Sequence, residues 1–385
     1  MKIGIDLTYI ESFQNVEGIG RYALSLLKGW QTVNKLEHFI FLVNGPLAEE
    51  AKELFPEAKV AEIKGTGLEN KTLGLFDNHN IKKLANDFYK YWVILPRVID
   101  QYNCDVLFYP FNIVSLRILS KIPNVVTVHD LFFKNFPGHL RKSYLKLVDN
   151  RYSYFLHEAD LIITVSSFVK NDILKHYPDI DRSKITMIYN PVLMDNPEED
   201  FLLQSPYILS LNALKRHKNL LTLVKAYHLI ADQVDHSLVL AGNFDAKNDE
   251  VNKYILNNNL QDRVYLTGYI NENIKRSLYK NASLFISTSL HEGFGLTPIE
   301  AMLMEVPVIT TLETSLPEVT DGLAFYYEPA DDYNKLAEKI IEVLHNPPKK
   351  KDLIKTRNHM LDKYNPAKAA EAYWDLFTHV YSKSH

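Results

Sequence analysis

Two successive series of alternating strands and helices run along this chain of 385 residues. Alternation of this kind predicts parallel sheets with helices on both faces, so we expect an α/β protein made of two doubly wound, Rossmann-like domains. Apolar, β-branched runs predict strands at 2–8, 38–44, 105–110, 124–128, 161–165 and 185–189, and then at 207–212, 237–242, 263–267, 282–288, 306–310 and 324–327. Helical patterns lie at 20–33, 81–102, 141–158, 219–233, 248–259, 272–280 and 298–305.

The domain boundary is expected in the stretch 190–201, "NPVLMDNPEEDF", which has two prolines, two asparagines and no periodicity. This gives an N-terminal domain at 1–190 and a C-terminal domain at 200–365. A late helix at about 366–385 is expected to pack back on the first domain through its aromatic residues. In open α/β sheets ligands bind beyond the carboxyl ends of the strands, so we expect a site in a cleft between the two domains.

Composition excludes several classes of protein. A formal net charge of −4 argues against general binding of nucleic acid. No apolar run is long enough to span a bilayer, and the N-terminus lacks the cleavage site of a signal peptide. Cys104 is the only cysteine, which favours the cytoplasm. Asp179 and Asp181 have metal-ligand spacing, but they lie in a polar connector that we interpret as solvated, and we expect no metal site.

The stretch 291–302, "HEGFGLTPIEAM", combines two glutamates with a glycine loop and a helix start. Thr297 is predicted as the helix cap, Pro298 as the first helical residue and Glu300 as the partner in a capping box. Backbone N–H groups at such a helix start favour anions. Two interpretations stay open from these residues: Glu292 is solvated and Glu300 caps the helix, or both contact a ligand.

Three further polar stretches each follow a predicted strand. The glycine loop "EGIGRY" precedes a helix, "HD" ends an apolar strand, and a basic turn, "KRHK", precedes an amphipathic helix. Fixed cations in such positions hold phosphate well, although a solvated turn and a simple helix cap are open alternatives. The candidate residues are Gly18, Gly20, Arg21, His129, Asp130, Lys215, Arg216, His217 and Lys218.

Taken together, these stretches resemble a known family. "EGFGLTPIEAM", followed by "VPVITT" and "LPEVTDG", is similar to the signature of the retaining glycosyltransferases of family four, which have the GT-B fold. Glu292 and Glu300 match that family's two glutamates separated by seven residues. "GIGRY", "HD" and a Lys-Asn pair match in the expected order, so the resemblance spans about residues 2–381.

The resemblance implies a nucleoside-diphosphate sugar as donor, held mainly by the second domain. It implies that Glu300 binds the ribose hydroxyls, that Glu292 and His129 face the donor sugar, and that Lys218 neutralises the diphosphate. The family commonly has a glycine and an arginine before this lysine; here the run differs, so either Lys215 or Arg216 takes the arginine's part. Further donor contacts are implied for Gly18, Gly20, Arg21, Gly293, Phe294, Gly295, Leu296 and Thr297, with Glu318 as a weaker candidate.

The function so implied is retaining transfer of a hexose such as mannose. The donor would be GDP-mannose or a UDP-sugar, and the acceptor a surface glycan or lipid-linked glycan of polysaccharide or lipopolysaccharide biosynthesis. No cofactor and no metal ion are expected. Helix 141–158 carries Arg141, Lys142, Lys146 and Arg151, which leaves open peripheral contact with the inner membrane or an ordinary packed helix. The alternatives are a sugar-nucleotide epimerase or phosphorylase of the same fold, or a non-catalytic carbohydrate-binding scaffold.

Overall fold

A computed structural model describes residues 1–14, 16, 18–63, 94–111, 122–139, 141–198, 203, 206–212, 215–242 and 250–384. The predicted helix residues 81–93 and 248–249 lie outside these ranges. The chain divides into two compact units. Unit 1 comprises Met1–Pro191 and Pro366–His385, and unit 2 comprises Val192–Asn365.

Unit 1 is built on seven parallel strands in the order β3-β2-β1-β4-β5-β6-β7. The strands are β1 (Ile3–Asp6), β2 (Phe39–Asn44), β3 (Lys59–Ile63), β4 (Val106–Tyr109), β5 (Asn124–Val128), β6 (Leu161–Thr164) and β7 (Ile185–Met187). Its described helices are α1 (Ile19–Thr32), α2 (Gly45–Leu54), α3 (Leu95–Tyr102), α4 (Phe132–Asn135), α5 (Lys142–Glu158) and α6 (Ser167–His176), with a C-terminal helix, Pro366–Ser384.

Unit 2 is built on six parallel strands in the order β10-β9-β8-β11-β12-β13. The strands are β8 (Tyr207–Leu211), β9 (Ser237–Ala241), β10 (Val264–Leu266), β11 (Leu284–Ser287), β12 (Val308–Thr311) and β13 (Phe325–Tyr327). Its described helices are α7 (Leu220–Ile230), α8 (Glu250–Asn257), α9 (Glu272–Lys280), α10 (Leu296–Leu303), α11 (Leu316–Val319), α12 (Tyr333–His345) and α13 (Lys350–Lys363); the C-terminal helix of unit 1 is therefore α14.

The α/β prediction is confirmed, since every predicted strand is present and both sheets are parallel. In the sheet of unit 2, β8 has β9 on one side and β11 on the other, so the order of the strands reverses between β8 and β11. Ligands of open α/β sheets bind at such a switch point, beyond the carboxyl ends of the strands. The corresponding reversal in unit 1 lies between β1 and β4.

Within unit 1, α14 packs against α1 around a cluster of aromatic rings. Trp30 is fully buried, its indole N–H donates a 3.0 Å hydrogen bond to the carbonyl of Ala370, and its ring lies near those of Tyr373 and Phe377. Tyr22 on α1 is hydrogen-bonded to Tyr373 on α14. The last helix of the chain is therefore part of the core of unit 1.

The contact between α1 and α14 leaves no room for a side chain at Gly29. A Cβ at this position would lie 2.2 Å from the carbonyl oxygen of Pro366 and 3.1 Å from the Cβ of Ala370. In an ordinary helix Gly→Ala stabilises by about 0.5–1 kcal/mol. Here overpacking against backbone reverses the sign, and we expect Gly29→Ala to lower the free energy of unfolding of unit 1 by about 1–3 kcal/mol.

Tryptophan fluorescence during urea unfolding is a suitable measurement for Gly29→Ala. The three tryptophans, Trp30, Trp92 and Trp374, all fall in the ranges of unit 1. Gly138→Ala is the control, because a Cβ there meets nothing within 4 Å and we expect a change of at most about 0.5 kcal/mol. A Gly29→Ala protein as stable as wild type would show that α1 and α14 are not packed this closely.

Membrane-spanning helices and clusters of metal-ligating side chains are both absent from the residues that the structure describes. In the described part of the chain, no helix is both long and apolar enough to cross a bilayer. Over the same residues, no group of three or more His, Cys, Asp or Glu side chains is close enough to hold a metal ion. Asp179 pairs with His157 at 2.8 Å, and Asp181 accepts a hydrogen bond from the backbone of Ser183.

Candidate active site

Two predicted site residues, Lys218 and Glu292, form an ion pair at the switch point of unit 2. Lys218 ends the short turn that follows β8, and Glu292 lies in the loop that follows β11. The Lys218 ammonium lies 2.5 Å from Oε1 of Glu292, and both side chains are largely buried. The topology therefore brings opposite charges from two distant stretches of sequence to one edge of the sheet.

Further hydrogen bonds join the two loops. The backbone N–H of Leu290 donates to the carbonyl of His217 at 2.7 Å, and the hydroxyl of Thr288 donates to the carbonyl of Lys218 at 2.8 Å. The hydroxyl of Ser289 donates to Oε1 of Glu292 at 2.7 Å. The ion pair is thus held by backbone and side-chain bonds as well as by its own charges.

Burial and charge act on the pKa of Glu292 in opposite directions. Burial raises it, but the Lys218 ammonium and the hydrogen bonds from Lys218 and Ser289 outweigh burial, so the pKa of Glu292 is lowered from its ordinary value. Burial, together with the charge of Lys218, lowers the pKa of His217 to about 4. At neutral pH the site therefore holds a carboxylate, an ammonium and a neutral imidazole.

The glycine loop after Glu292 is shaped by backbone conformation and by Ser315. Gly295 has a φ of +93°, and a Cβ there would also lie 2.9 Å from Cδ2 of Leu316. The hydroxyl of Ser315 hydrogen-bonds with the carbonyls of Glu292 at 2.9 Å and Phe294 at 3.0 Å. The Phe294 ring is buried against Tyr364. Phe294 can therefore reach a ligand through its backbone only, while Gly293 and Gly295 are buried glycines of the same loop.

The predicted start of the following helix is wrong by two residues. α10 begins at Leu296, directly after Gly295, and no side chain caps it. Pro298 is thus its third residue, where the missing N–H still costs no hydrogen bond within the helix. The chain enters the helix at Gly295, whose left-handed backbone conformation is easy for a glycine and costly for a threonine. Thr297 lies within the helix and therefore does not cap it. Leu296 and Thr297 lie half-exposed in the first turn.

Glu300 does not complete a capping box, contrary to the prediction. Its carboxylate accepts hydrogen bonds from two residues of α9: from the Lys275 ammonium to Oε1 at 2.9 Å, and from the Tyr279 hydroxyl to Oε2 at 3.0 Å. Glu300 is 3% exposed. The Glu300 carboxylate is therefore oriented by a neighbouring helix.

The other predicted basic residues lie around the turn that contains Lys218. Arg216 begins the 3-10 turn Arg216–Lys218, Lys215 precedes it, and both side chains are exposed. The geometry favours neither of them as the second cation. Glu318 is on the short helix α11, where its carbonyl accepts a hydrogen bond from Lys363.

In unit 1, the loop "GIGRY" forms the start of α1. Gly18 precedes the helix with a φ of +48°. A Cβ at Gly20 would lie 2.9 Å from the side chain of Val16, so the loop can close only over a glycine. Arg21 lies half-buried in the first turn. Gly18 and Gly20 therefore shape the start of α1.

His129 lies one residue beyond the end of β5 and is buried. Its Nε2 donates to the carbonyl of Pro110 at 2.8 Å, because a carbonyl can only accept. Burial lowers the pKa of His129 below its ordinary value, so the ring is neutral at neutral pH and Nδ1 carries the lone pair. The ring of Tyr22 stands edge-on to the His129 ring at 4.8 Å. The Asp130 carboxylate accepts a 3.1 Å hydrogen bond from the backbone N–H of Phe132, the first residue of α4.

Sequence reasoning did not find several residues that shape these sites. Ser289 and Ser315 are small polar residues in loops, a pattern too common to single them out. Lys275 had a readable signal, because it lies one turn from Leu278 and Tyr279 on α9, and a lysine on an apolar helix face indicates a buried partner. The residues missed are Tyr22, Lys275, Tyr279, Thr288, Ser289 and Ser315.

Comparison with known families covers most of the chain. Residues 16–195 match the family described as Glycosyltransferase Family 4. Residues 195–360 match the family described as Glycosyl transferases group 1. The two matches meet at residue 195, close to the boundary of the two units.

Individual proteins are similar at low identity. The O-antigen chain mannosyltransferase B of Escherichia coli is 24% identical over 351 residues, which are 86% of this chain and 87% of that protein. The O-antigen chain mannosyltransferase RfbU of Salmonella typhimurium is 27% identical over 249 residues, 63% of this chain and 66% of that protein.

Solved structures share the fold across the whole chain. A sucrose-phosphate synthase from Thermosynechococcus elongatus has a TM-score of 0.76 at 18% identity and covers 99% of both chains. Anabaena Alr3699/HepE, in complex with UDP and glucose, has a TM-score of 0.68 at 16% identity and covers 98% of this chain and 99% of its own. The chain therefore belongs to the group 1 glycosyltransferases of family four, retaining enzymes with the GT-B fold that use a nucleotide sugar as donor.

Proposed function

We propose that this enzyme transfers a hexose, mannose first among the candidates, to a surface-glycan or lipid-linked acceptor without a metal ion. The observation that carries the proposal is the Lys218–Glu292 pair at the switch point of unit 2. Mannose and a surface glycan are supported by the similarity to the two O-antigen chain mannosyltransferases. A UDP-sugar is the second candidate donor, because HepE binds UDP and glucose.

The chemistry follows from the charges that develop when the sugar–phosphate bond breaks. The diphosphate gains negative charge and the sugar ring gains positive charge. A fixed ammonium stabilises the first and a fixed carboxylate the second, without reorganisation during the reaction. Lys218 would contact the diphosphate, with Lys215 or Arg216 as the second cation, and Glu292 would face the sugar. The two groups also neutralise each other's charge, with 2.5 Å between the Lys218 ammonium and Oε1 of Glu292.

The remaining donor contacts are proposed from backbone groups and from Glu300. The N–H groups of the loop Gly293–Thr297 would contact the sugar or the phosphates, as helix N-termini do with anions. Glu300 would accept hydrogen bonds from the ribose hydroxyls. In unit 1, the neutral His129 would contact the donor sugar, and the Gly18–Arg21 turn would contact the diphosphate. Unit 2 would bind most of the nucleotide. Unit 1 would bind the acceptor and add the donor contacts just named.

Thermal stabilisation by a panel of nucleotide sugars tests the donor. A ligand that binds only the folded protein raises its Tm, so GDP-mannose is expected to raise the Tm most. Lys218→Met is expected to lose only part of that increase, because Lys218 acts mainly on the charge of the transition state. Transfer is then followed by release of nucleoside diphosphate on addition of an acceptor glycan. Conversion of the donor without acceptor, seen by NMR, would indicate an epimerase; absence of stabilisation by any nucleotide sugar would contradict the proposal.

Metal independence is the second expected result. Because Lys218 supplies fixed positive charge for the leaving diphosphate, transfer is expected to proceed at an unchanged rate after incubation with EDTA. Initial rates with and without the chelator give the answer. Loss of activity on chelation that manganese or magnesium restores would count against the role of Lys218 as the main counter-charge.

An exposed apolar and basic face of α5 supports peripheral contact with anionic lipid. Tyr144, Leu147 and Tyr154 are exposed on this helix, at spacings that put them on one side with Arg151. Such a face suits the surface of a membrane. The exposed basic residues at or near this helix are Arg141, Lys142, Lys146 and Arg151.

Co-sedimentation with vesicles tests this contact. The protein is expected to bind vesicles of phosphatidylglycerol and phosphatidylethanolamine, and not vesicles of phosphatidylcholine. Arg151→Glu is expected to weaken binding about five-fold or more, since each basic residue near such a surface contributes about 1 kcal/mol. Leu147→Glu tests the apolar part, with Leu256→Glu, an exposed leucine of α8, as matched control. Equal binding by both leucine variants would leave α5 as an ordinary surface helix.

A further inference from the structure

A second buried ion pair lies in unit 2, between α9 and α10. Lys275 is 8% exposed and Glu300 is 3% exposed. Burying two charges costs desolvation free energy, and the attraction between the charges barely offsets this cost. Apolar side chains of similar volume often give the folded protein the same stability. The pair is thus weak evidence for a purely structural role, and its geometry points to another one.

The contacts from α9 fix the orientation of the Glu300 carboxylate. Lys275 and Tyr279 are four residues apart, so they lie on the same face of α9. Each holds one oxygen: the Lys275 ammonium binds Oε1 at 2.9 Å, and the Tyr279 hydroxyl binds Oε2 at 3.0 Å. A carboxylate held at both oxygens cannot rotate about its last bond. The plane in which it accepts further hydrogen bonds is therefore set before any ligand arrives.

The location of the pair connects it with the donor loop. Glu300 is on α10, which begins directly after Gly295 in the loop that also carries Glu292. The start of α9 is itself fixed, because the side chain of Asn271 accepts from the backbone of Ile274 at 2.9 Å. Glu272, a second carboxylate, lies 3.3 Å from the Lys275 ammonium. Lys275 therefore keeps a second carboxylate partner when Glu300 takes part in binding.

We propose that Lys275 and Tyr279 are positioning residues that orient the Glu300 carboxylate toward the ribose hydroxyls of the donor nucleotide. This inference rests on the proposed function, which assigns the ribose to Glu300. The inference adds a source of specificity for ribonucleotides. A preoriented Glu300 carboxylate accepts a hydrogen bond from the ribose hydroxyl, and the deoxy analogue lacks the hydroxyl that donates it. Lys275 and Tyr279 act through Glu300 and do not themselves contact the donor.

A binding cycle tests the inference. Calorimetric titration measures the Kd of GDP and 2′-deoxy-GDP, and of UDP and 2′-deoxy-UDP, for wild type, Lys275→Met and Glu300→Gln. Wild type is expected to prefer the ribonucleotide about ten-fold. Lys275→Met is expected to lose most of this preference, while its Kd for the deoxy analogue changes less than about two-fold. Lys280→Met, an exposed lysine of the same helix, is the matched control and is expected to keep the preference.

The outcomes separate the two claims. If Glu300→Gln keeps the full preference for ribose, the ribose role in the proposed function fails. If Glu300→Gln loses the preference and Lys275→Met keeps it, the positioning role alone fails. If Lys275→Met does not fold, Tyr279→Phe is the second variant, because it removes the hydrogen-bond donor to Oε2 of Glu300 and keeps the aromatic ring. Tyr279→Phe is expected to reduce the preference for the ribonucleotide about three-fold or more. An unchanged preference would overturn the inference.

Discussion

Lys218→Met is expected to lower kcat by about 100-fold or more, as removal of other fixed electrostatic groups does. The reason is the site geometry: the Lys218 ammonium is a largely buried charge held by Glu292 at 2.5 Å, so it needs little reorganisation when the diphosphate gains charge. KM is expected to change less than kcat, because the stabilised charge is largest in the transition state. Steady-state kinetics with a saturating acceptor measure both values.

Lys218→Met also changes the surroundings of the buried Glu292 carboxyl. A control must separate this structural effect from the loss of turnover. Without Lys218, burial acts on Glu292 with less to oppose it, so the pKa of this carboxyl rises from its present lowered value. The double variant Lys218→Met with Glu292→Gln removes the isolated charge and is expected to recover stability but not turnover. Normal turnover by a folded Lys218→Met protein would remove Lys218 from the mechanism.

The same pKa fixes the pH range in which the ion pair stabilises unit 2. Because the pKa of Glu292 is lower in the folded protein than its ordinary value, the contribution is complete above the ordinary carboxyl pKa. It decreases as the pH falls through the lowered folded value. Lys218→Met is expected to abolish this acid-dependent part of the stability.

The fold was predictable because buried parallel strands are nearly continuous apolar runs. β1, β5 and β11 are buried at every residue, and sequences of this kind stand out without an alignment. The strand that was missed is β3, which pairs with β2 alone at the edge of its sheet. Its sequence, "KVAEI", has only five residues, of which two are charged. Such a strand is too short and too polar to be distinguished from a loop.

The helices α13 and α12 were not predicted from the sequence, for different reasons. α13 buries Met360 and exposes most of its charged residues, so its apolar face is too narrow to give a period. α12, by contrast, has buried residues at Leu336, Ala337, Ile340 and Val343. That spacing is a clear helical stripe, so α12 could have been predicted from the sequence and was overlooked.

For the site, strand ends predicted the loops but not the partners within them. The carboxyl ends of β8 and β11 are adjacent because of the strand order, and this brings Lys218 to Glu292. The contact spans 74 residues of sequence, so no local pattern contains it. Local chemistry suggested a capping box for Glu300, but a long-range contact with Lys275 decided its orientation.

Glu300→Gln distinguishes these two interpretations of Glu300. A capping box would keep its hydrogen bond in glutamine, and stability would not change. The buried ion pair predicts a loss instead: removal of one partner of a buried pair costs about 3–5 kcal/mol, and the nearby Glu272 carboxylate at 3.3 Å reduces the expected loss to about 1–3 kcal/mol. The tryptophans lie in unit 1, so amide hydrogen exchange of α9 and α10 is the measurement that reports on unit 2.

The double variant Lys275→Met with Glu300→Gln separates stability from binding. It leaves no uncompensated charge between α9 and α10, so protection of the two helices is expected to return toward that of wild type. The Kd of the nucleoside diphosphate is expected to stay about ten-fold higher than that of wild type, because the carboxylate that accepts from the ribose is gone. Glu272→Gln, which removes the more exposed carboxylate, is the control for both readouts and is expected to change each only slightly. If the double variant regains wild-type affinity along with protection, Glu300 serves the fold alone and the ribose has another partner.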